Sequence, residues 1–309
     1  MTKKLASAVL ATAFVIGIPV PADAGTAARI AVHFDLAAGQ MPENVALEPS
    51  GTADVTFAKA RQVAAVSPAG GTRILATLPL PADGGKNTPV LGFALTTGIV
   101  RASNGTLYFL YASGTADLTG VWRLRPGGTP HRIAALPKDG LPNGLALDEH
   151  RGSLYVTDSV LGRIFTVPVT GGRAATWSAA PELASTGFLG ANGLKLRDGA
   201  LWASNLDQGT LLRFSLHSKV VQVKATGLAG IDDFEFTGNG DEVLAALNGP
   251  NAVVRIRPGS ATTTVLTAQN GLQNPTSLAV RGKTVYVLNA AYTTATDPNL
   301  MLASLPALC

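Results

Sequence analysis

Apolar and polar residues alternate with a period of two through residues 141–172. Glycines interrupt the alternation and separate three short runs, at residues 144–147, 154–157 and 163–169. A period of two is typical of β-strands that bury one face, and glycine at each break is typical of tight turns. The stretch therefore predicts an antiparallel β-meander rather than a helix.

The same unit recurs along the chain. In its first strand, NGLAL at residues 143–147, the residues two and four places after the first are large and apolar, and five other segments share this register. The six segments begin, in chain order, at Glu43, Leu91, Asn143, Asn192, Asp232 and Thr276. Steps of 49 residues from 143 to 192 and 44 from 232 to 276 match the size of a four-stranded propeller blade. We predict an all-β fold, a six-bladed β-propeller with four-stranded blades.

The first strand-like segment after the amino terminus, residues 30–34, has no earlier segment to pair with. The last blade, by contrast, lacks a strand, because the chain ends after the segments at 284–288 and 300–305. Pairing the amino-terminal strand with the last blade would close the ring and cover an exposed sheet edge. We therefore predict that residues 30–34 form the outer strand of blade six.

Composition narrows the class of protein. The repeats leave no linker, which predicts one propeller domain over residues 25–309. Charged residues make up only 14% of the chain, and the net charge of +4 falls to +3 without residues 1–24, with the remaining basic residues scattered singly. This distribution argues against binding to nucleic acid or to an anionic membrane surface. We expect a monomer that acts on a small molecule.

Residues 1–24 have the features of a secretory signal peptide. Lys3 and Lys4 precede an apolar run at residues 5–20, and Ala22 and Ala24 form an A-x-A cleavage site. A retained membrane anchor is disfavoured, because the run is short and small, polar residues follow it. We predict an exported protein, extracellular or periplasmic, without a stable membrane anchor.

Candidate chemistry lies where the first strands of the blades begin, because these strands line the central channel of a propeller. Four of the six starting residues have carboxylate or carboxamide side chains: Glu43, Asn143, Asn192 and Asp232. Two carboxylates and two carboxamides that converge on one axis suit a hard divalent cation, Ca²⁺ in particular. Zn²⁺ is disfavoured because no His or Cys occupies these positions. A turn-forming role explains any one of the four, but less readily all four at one register.

The motifs PENVAL, LPNGLALD, ANGLKL and NPTSLAV, in this order, resemble the blade starts of the regucalcin (senescence marker protein) and gluconolactonase family of six-bladed propellers. The resemblance implies that Glu43, Asn192 and Asp232 bind the divalent metal, usually Ca²⁺, and that Asn143 lies beside the metal and contacts substrate or its water. It also implies lactone hydrolysis, or phosphotriester cleavage as in the similar diisopropyl fluorophosphatase group.

In the reaction that the resemblance implies, Asp232 acts as the general base on water. Direct attack by Asp232, which would form an acyl intermediate, is an open variant. The chain departs from the family pattern because Asp232 is followed by a second carboxylate, Asp233. The register set by Phe234 and Phe236 favours Asp232 as the residue that faces the axis.

The second strands end on the same face of the predicted ring, at Lys59, Tyr111, Asp158, Asn205, Asn248 and Asn289. These six residues are candidate walls of a substrate site, and Asp158 and Asn205 are the candidate substrate-binding residues together with Asn143. The alternative is that Asp and Asn at strand ends cap turns. Blade two offers Leu91 and no evident arginine for polar substrate groups, so we expect a substrate less polar than a sugar lactone. The loop at residues 290–299 is the longest of the later blades and is a candidate rim of the site.

Three functions from different classes fit the sequence. The first is an exported, Ca²⁺-dependent hydrolase of a lactone or related ester. The second is a non-catalytic propeller that binds a ligand or a protein and uses the metal structurally. The third is a metal-free enzyme similar to strictosidine synthase, which the ring of carboxylates and amides disfavours because a metal-free site has no need of two asparagines.

Overall fold

The protein folds into a ring of six β-sheets. A computed structural model describes residues 27–304, in which every sheet has four antiparallel strands. This confirms the prediction of a six-bladed β-propeller with four-stranded blades. The predicted signal peptide lies outside the described residues. Among residues 27–304, no helix has the length and apolar character needed to cross a membrane.

The strands are numbered in chain order. Blades one to three comprise β2 (Pro42–Leu47), β3 (Ala53–Phe57), β4 (Gln62–Val66), β5 (Thr72–Thr77), β6 (Leu95–Arg101), β7 (Leu107–Ala112), β8 (Gly120–Leu124), β9 (His131–Ala135), β10 (Pro142–Asp148), β11 (Ser153–Asp158), β12 (Arg163–Pro168) and β13 (Ala175–Ser178). Blades four to six comprise β14 (Ala191–Arg197), β15 (Ala200–Asn205), β16 (Thr210–Ser215), β17 (Val221–Ala225), β18 (Ile231–Phe236), β19 (Val243–Leu247), β20 (Ala252–Ile256), β21 (Thr263–Leu266), β22 (Pro275–Arg281), β23 (Thr284–Asn289), β24 (Asn299–Ser304) and β1 (Ala28–His33). Short 3₁₀ turns occupy Pro181–Leu183 and Ala268–Asn270.

The amino-terminal strand closes the ring. Strand β1 pairs antiparallel with β24, so the order in blade six is β22, β23, β24, β1. The backbone groups of β24 that would otherwise form an open edge are thereby hydrogen-bonded. The predicted closure is confirmed, with the strand at Ala28–His33 rather than at residues 30–34.

Blade two begins later than the repeat predicted. Its first strand starts at Leu95, and Leu91 lies in the connection from blade one. The register shift between Thr96 and Ile99 places Thr97 where blade three has Asn143. The prediction was wrong here because Leu91 and Phe93 line a cavity, and alternate burial against a cavity gives the same apolar pattern as burial in a sheet.

The first strand of every blade has a β-bulge near its start. The register shifts lie at Pro42/Asn44, Thr96/Ile99, Pro142/Leu145, Ala191/Leu194, Ile231/Phe234 and Pro275/Ser277. A bulge inserts an unpaired residue and changes the direction of the side chains around it. This geometry allows neighbours such as Asp232 and Asp233 both to be buried near the central axis.

The glycines of the Asn-Gly motifs allow the first strands to approach one another. A Cβ atom on Gly144 would collide with the backbone carbonyl of Asn192, and one on Gly193 would collide with the carboxylate of Asp233. Neither glycine has a positive φ. These Asn-Gly pairs are therefore close-packing positions between blades and not turns.

Hydroxyl groups bridge neighbouring blades beside the bulges. The Thr157 hydroxyl accepts the N–H of Gly144 at 2.8 Å and donates to the carbonyl of Asn192 in the next blade. The Ser204 hydroxyl likewise accepts the N–H of Gly193 at 2.7 Å and donates to the Asp232 carbonyl at 2.6 Å. These bonds satisfy backbone groups that the bulges leave unpaired, and they fix the backbone of two candidate ligands.

Replacing Thr157 with valine is expected to destabilise the protein by about 1–3 kcal/mol, because the variant keeps the shape but leaves buried N–H and C=O groups without a partner. Thermal denaturation measures the effect, at roughly 2–4 °C in Tm for each kcal/mol. Thr166→Val on β12 is the matched control, since the half-buried Thr166 has no such role. Equal Tm values for the two variants would contradict the bridging function.

Aromatic side chains pack between adjacent blades. The Trp202 ring of blade four meets Phe236 of blade five edge-on, with 5.3 Å between ring centroids, and Phe57 of blade one meets Phe34 at 4.8 Å. Burial of one such ring contributes about 1.5–3 kcal/mol. The core of the described residues thus includes an apolar cluster at each junction between neighbouring blades.

Candidate active site

The first strands converge at one end of the channel on a cavity of about 300 Å³. Glu43, Asn143, Asn192 and Asp232 all line it, and each is at most 8% exposed. Four residues up to 189 positions apart in sequence thus meet in one place, as the shared register predicted. Their assignment as metal ligands remains a prediction.

Glu43 lies in a setting that disfavours its charge. Burial raises its pKa to about 7, a hydrogen bond from the Tyr292 hydroxyl to Glu43 Oε2 opposes the rise, and the charge of Asp233 adds to it. Burial is the larger effect because little water reaches this end of the channel to solvate the carboxylate.

Asp232 is the second buried acid of the cavity. Burial and then the charges of Glu43 and Asp233 raise the pKa of Asp232 well above its usual value, while the amides of Asn248 and Asn192 oppose the rise. The Asn248 amide nitrogen donates to Asp232 Oδ2 at 2.9 Å, which fixes the orientation of this carboxylate. Glu43 and Asp232 therefore repel each other when both are ionised, and a cation between them would relieve that repulsion.

The amide of Asn143 is also held in one orientation. The Ser159 hydroxyl donates to the Ala191 carbonyl at 2.6 Å, so its oxygen accepts the amide nitrogen of Asn143 at 3.2 Å. The nitrogen of Asn143 is thereby used, and its carbonyl oxygen has no hydrogen-bond partner among the described residues. An oxygen left free beside two carboxylates is suited to a cation or to a substrate hydroxyl.

The donor set fits a hard divalent cation. Within residues 27–304, no three His, Cys, Asp or Glu side chains come together to hold a metal ion. A metal in this cavity would therefore be bound by two carboxylates and two amide oxygens, a set that suits Ca²⁺ and does not suit Zn²⁺.

Asp233 points to different partners from those of Asp232. Its Oδ2 accepts hydrogen bonds from Ser277 Oγ at 2.7 Å, Lys195 Nζ at 3.1 Å and Asn44 Nδ2 at 3.2 Å. Lys195 also lines a second cavity, about 590 Å³, further along the same first strands. Asp233 thus lies between the two cavities with Lys195 as its counter-ion, and Asp232 is the one of the pair that lines the candidate site.

Asp158 and Asn205 do not line the cavity. Asp158 Oδ1 accepts the backbone N–H groups of Leu141, Val160 and Leu161 at 2.9–3.1 Å. Asn205 donates to two backbone carbonyls at 2.9 Å and accepts one N–H. Both are fully buried. These hydrogen bonds are the ones expected of side chains that cap turns, which was the alternative to substrate binding. The predicted role of Asp158 and Asn205 as substrate contacts has no support in the geometry.

Tyr292 and Asn248 contact the candidate ligands Glu43 and Asp232. The sequence placed Asn248 among the six second-strand ends and did not single out Tyr292. Tyr292 comes from the loop at residues 290–299 that was expected to form the rim, where it is the only aromatic residue, and it lines the cavity. Asn274 Oδ1 holds this loop by accepting the N–H of Thr293 at 2.8 Å. The sequence feature that could have identified Tyr292 is its position as an isolated aromatic residue in an otherwise small and polar loop.

Replacing Glu43 with glutamine is expected to weaken Ca²⁺ binding about tenfold to a hundredfold, because the amide keeps the shape and removes one of two charges. Calorimetric titration with Ca²⁺ measures the change. Glu235→Gln is the control, since Glu235 lines the second cavity. Unchanged affinity in Glu43→Gln would rule out Glu43 as a ligand.

The chain is similar to known proteins in its structure. No protein-family model matches the chain, and no curated protein matches its sequence. A gluconolactonase from Xanthomonas campestris is 15% identical with a TM-score of 0.62, over 94% of this chain and 98% of that one. A calcium-binding regucalcin from Agrobacterium tumefaciens is 16% identical with a TM-score of 0.60, over 86% and 90%.

A third similar structure has a different activity. Virginiamycin B lyase from Staphylococcus aureus is 14% identical with a TM-score of 0.60, over 91% of this chain and 99% of that one. At such identities, the likeness shows a common fold and leaves the reaction to the site. The solved structures similar to this propeller nevertheless include a regucalcin and a gluconolactonase, the family that its blade-start motifs resemble.

Proposed function

We propose that this protein is a divalent-metal-dependent hydrolase, with Ca²⁺ as the metal, that acts on a lactone or related ester. The observation that supports the proposal is the meeting of Glu43, Asn143, Asn192 and Asp232 in one small cavity. Polar groups gathered at one point of a mostly apolar cavity are typical of a small-molecule site. The likeness to a gluconolactonase agrees with this reaction class.

In this proposal, the four candidate ligands hold the cation, and Asp232 takes a proton from the attacking water. A bound hard cation supplies charge that polarises the substrate carbonyl and stabilises its developing negative charge. Water oxygen bonds to the carbonyl carbon, the ring C–O bond breaks, and the proton held by Asp232 is returned to the departing ring oxygen. The product is the hydroxy acid. Asn248 keeps the Asp232 carboxylate in place throughout.

Metal removal tests the proposal. The purified mature chain is assayed on sugar, alkyl and aromatic lactones, with EDTA and after Ca²⁺ is added back. We expect activity that disappears with EDTA and returns with Ca²⁺. Inactivity on every lactone, with Ca²⁺ raising only the Tm, would contradict the hydrolase and indicate a binding propeller with a structural metal.

We propose in addition that the protein is exported. The support is the sequence of residues 1–24 alone. Expression of the full chain in a bacterial host, followed by fractionation and mass determination, tests it. We expect an exported protein that begins at Gly25, and a full-length cytoplasmic product would contradict export.

A further inference from the structure

The cavity has two chemically different sides. The four candidate ligands, Asn248, Tyr292 and Thr293 provide the polar side. The apolar wall is formed by the side chains Leu91, Phe93, Leu141, Phe188, Leu189 and Leu206, and Leu95 at the start of β6 also lines the cavity. The six residues of the wall come from the connections that precede the first strands of blades two, three and four and from the end of blade four's second strand. The apolar wall is thus assembled from separate parts of the chain.

This wall gives a polar substrate nothing to bond to. None of the six side chains has a hydrogen-bond donor or acceptor, and among the described residues of the lining only Glu43 and Asp232 are charged. A hydroxyl group moved from water to such a wall loses its hydrogen bonds, which lowers affinity roughly fivefold to a hundredfold for each group. An anionic substituent would meet no cationic side chain from residues 27–304 in the lining.

The volume limits the size of the part that is enclosed. At about 30 Å³ for each water-sized group, a cavity of 300 Å³ holds about ten heavy atoms. A five-membered lactone ring with its carbonyl oxygen has six, which leaves room for roughly four carbons of a substituent. Phe188 is 50% exposed, so its ring offers apolar surface both to the cavity and to the solvent.

We propose that the substrate is a neutral lactone that carries an apolar alkyl or aromatic substituent, and that Leu91, Phe93, Leu141, Phe188, Leu189 and Leu206 determine this specificity. The inference rests on the hydrolase function proposed above. The lactone carbonyl lies at the polar side, and the substituent lies against the wall. Substituents longer than about four carbons extend past Phe188 into solvent, so each further carbon adds little to kcat/KM.

A homologous series tests the proposal with Ca²⁺ present. The substrates are γ-lactones with no substituent and with methyl, ethyl, butyl and hexyl substituents, compared with glucono-1,5-lactone. We expect kcat/KM to rise roughly threefold to fourfold for each carbon buried and to level off beyond butyl. Glucono-1,5-lactone should be at least about a hundredfold poorer than the butyl lactone, because several of its hydroxyls would be unpaired.

Two variants locate the effect. Phe188→Ser is expected to lower kcat/KM for the butyl lactone several-fold more than for the unsubstituted lactone. Val220→Ser is the matched control, since Val220 is 57% exposed and does not line the cavity, and it should change neither value. If kcat/KM of Phe188→Ser keeps its full dependence on the length of the substituent, Phe188 is not part of the apolar wall that determines specificity.

Binding of uncleavable analogues separates this inference from the hydrolase function. The dissociation constants of the matching γ-alkyl lactams are measured by calorimetry. If the protein hydrolyses lactones without dependence on chain length, or prefers the sugar lactone, the specificity is wrong and the hydrolase stands. If it hydrolyses no lactone but binds lactams more tightly with each carbon of the substituent, recognition by the apolar wall is supported and the hydrolase function is wrong. Inactivity with lactam affinities independent of chain length would overturn both.

Discussion

Replacing Asp232 with asparagine should lower kcat/KM by about a hundredfold to ten-thousandfold, the usual contribution of a general base, and should leave the propeller folded. Asparagine has the same shape, and the bond from the Ser204 hydroxyl to residue 232 uses the backbone carbonyl, which the substitution keeps. Activity is measured on the best lactone of the panel and at saturating Ca²⁺, so that weakened metal binding does not account for the loss.

The stability of the same variant gives an independent measurement. Burial raises the pKa of Asp232, and the charges of Glu43 and Asp233 raise it further, so its ionised form is unfavourable in the metal-free fold at neutral pH. A neutral asparagine removes that cost. The metal-free variant should therefore have a Tm equal to or above that of the wild type at pH 7, and the Tm gain from Ca²⁺ should be smaller.

Asp233→Asn is the matched comparison, because the same substitution is made one residue away. Asp233 is hydrogen-bonded to Lys195, Ser277 and Asn44, so we expect lower stability and, in the folded protein, activity within about tenfold of wild type. The reverse result, with turnover kept in Asp232→Asn and lost in Asp233→Asn, would make Asp233 the base.

The fold was predictable because a propeller repeats one pattern of burial. The first strands of blades one and three to six carry large apolar residues at the same two positions, so these copies could be aligned without any knowledge of their contacts. Blade two was misplaced because its true first strand carries Thr96, Thr97 and Gly98 where the other copies have a recognisable motif. Thr97 donates to the carbonyl of Pro142 in the next blade, and this function imposes no apolar pattern.

The site was predictable only where the repeat positions it. Glu43, Asn143, Asn192 and Asp232 share one register, and the ring brings equal registers together. Asp158 and Asn205 also share a register, but the turns that follow them use their side chains, and this competition cannot be judged from sequence. The apolar wall comes from connections of unequal length, whose positions depend on the assembled ring.

The β-bulge at Ile231/Phe234 directs the adjacent carboxylates of Asp232 and Asp233 to different surroundings. Asp232 lines the candidate site, while Asp233 lies between the two cavities of the channel. The side chain of Asp233 is almost fully buried, and that of its cation, Lys195, is 18% exposed. A carboxylate that is paired with a lysine inside the ring contributes to the structure of the channel. A carboxylate that faces a second acid is available for a metal or a proton.

Replacing Lys195 with methionine is expected to lower the free energy of unfolding by about 3–5 kcal/mol, because it leaves the buried carboxylate of Asp233 without its counter-ion. Lys195 Nζ lies 3.1 Å from Asp233 Oδ2 and 3.9 Å from Glu235 Oε2. Methionine is close to lysine in length and keeps an apolar stem, so the loss of free energy of unfolding measures the contribution of the lysine charge. Urea denaturation at pH 7 measures it.

The pH dependence and a control distinguish this effect from general loss of packing. Burial lowers the pKa of Lys195, but the charges of Asp233 and Glu235 outweigh burial and raise it above its usual value. The stabilisation is therefore complete below about pH 10, the pKa of an unfolded lysine, and disappears as the pH rises through the higher folded pKa. Lys224→Met on the exposed face of β17 should cost under about 1 kcal/mol. Equal losses in the two variants would show that Asp233 does not depend on Lys195, whereas recovery in Lys195→Met/Asp233→Asn would confirm the pair.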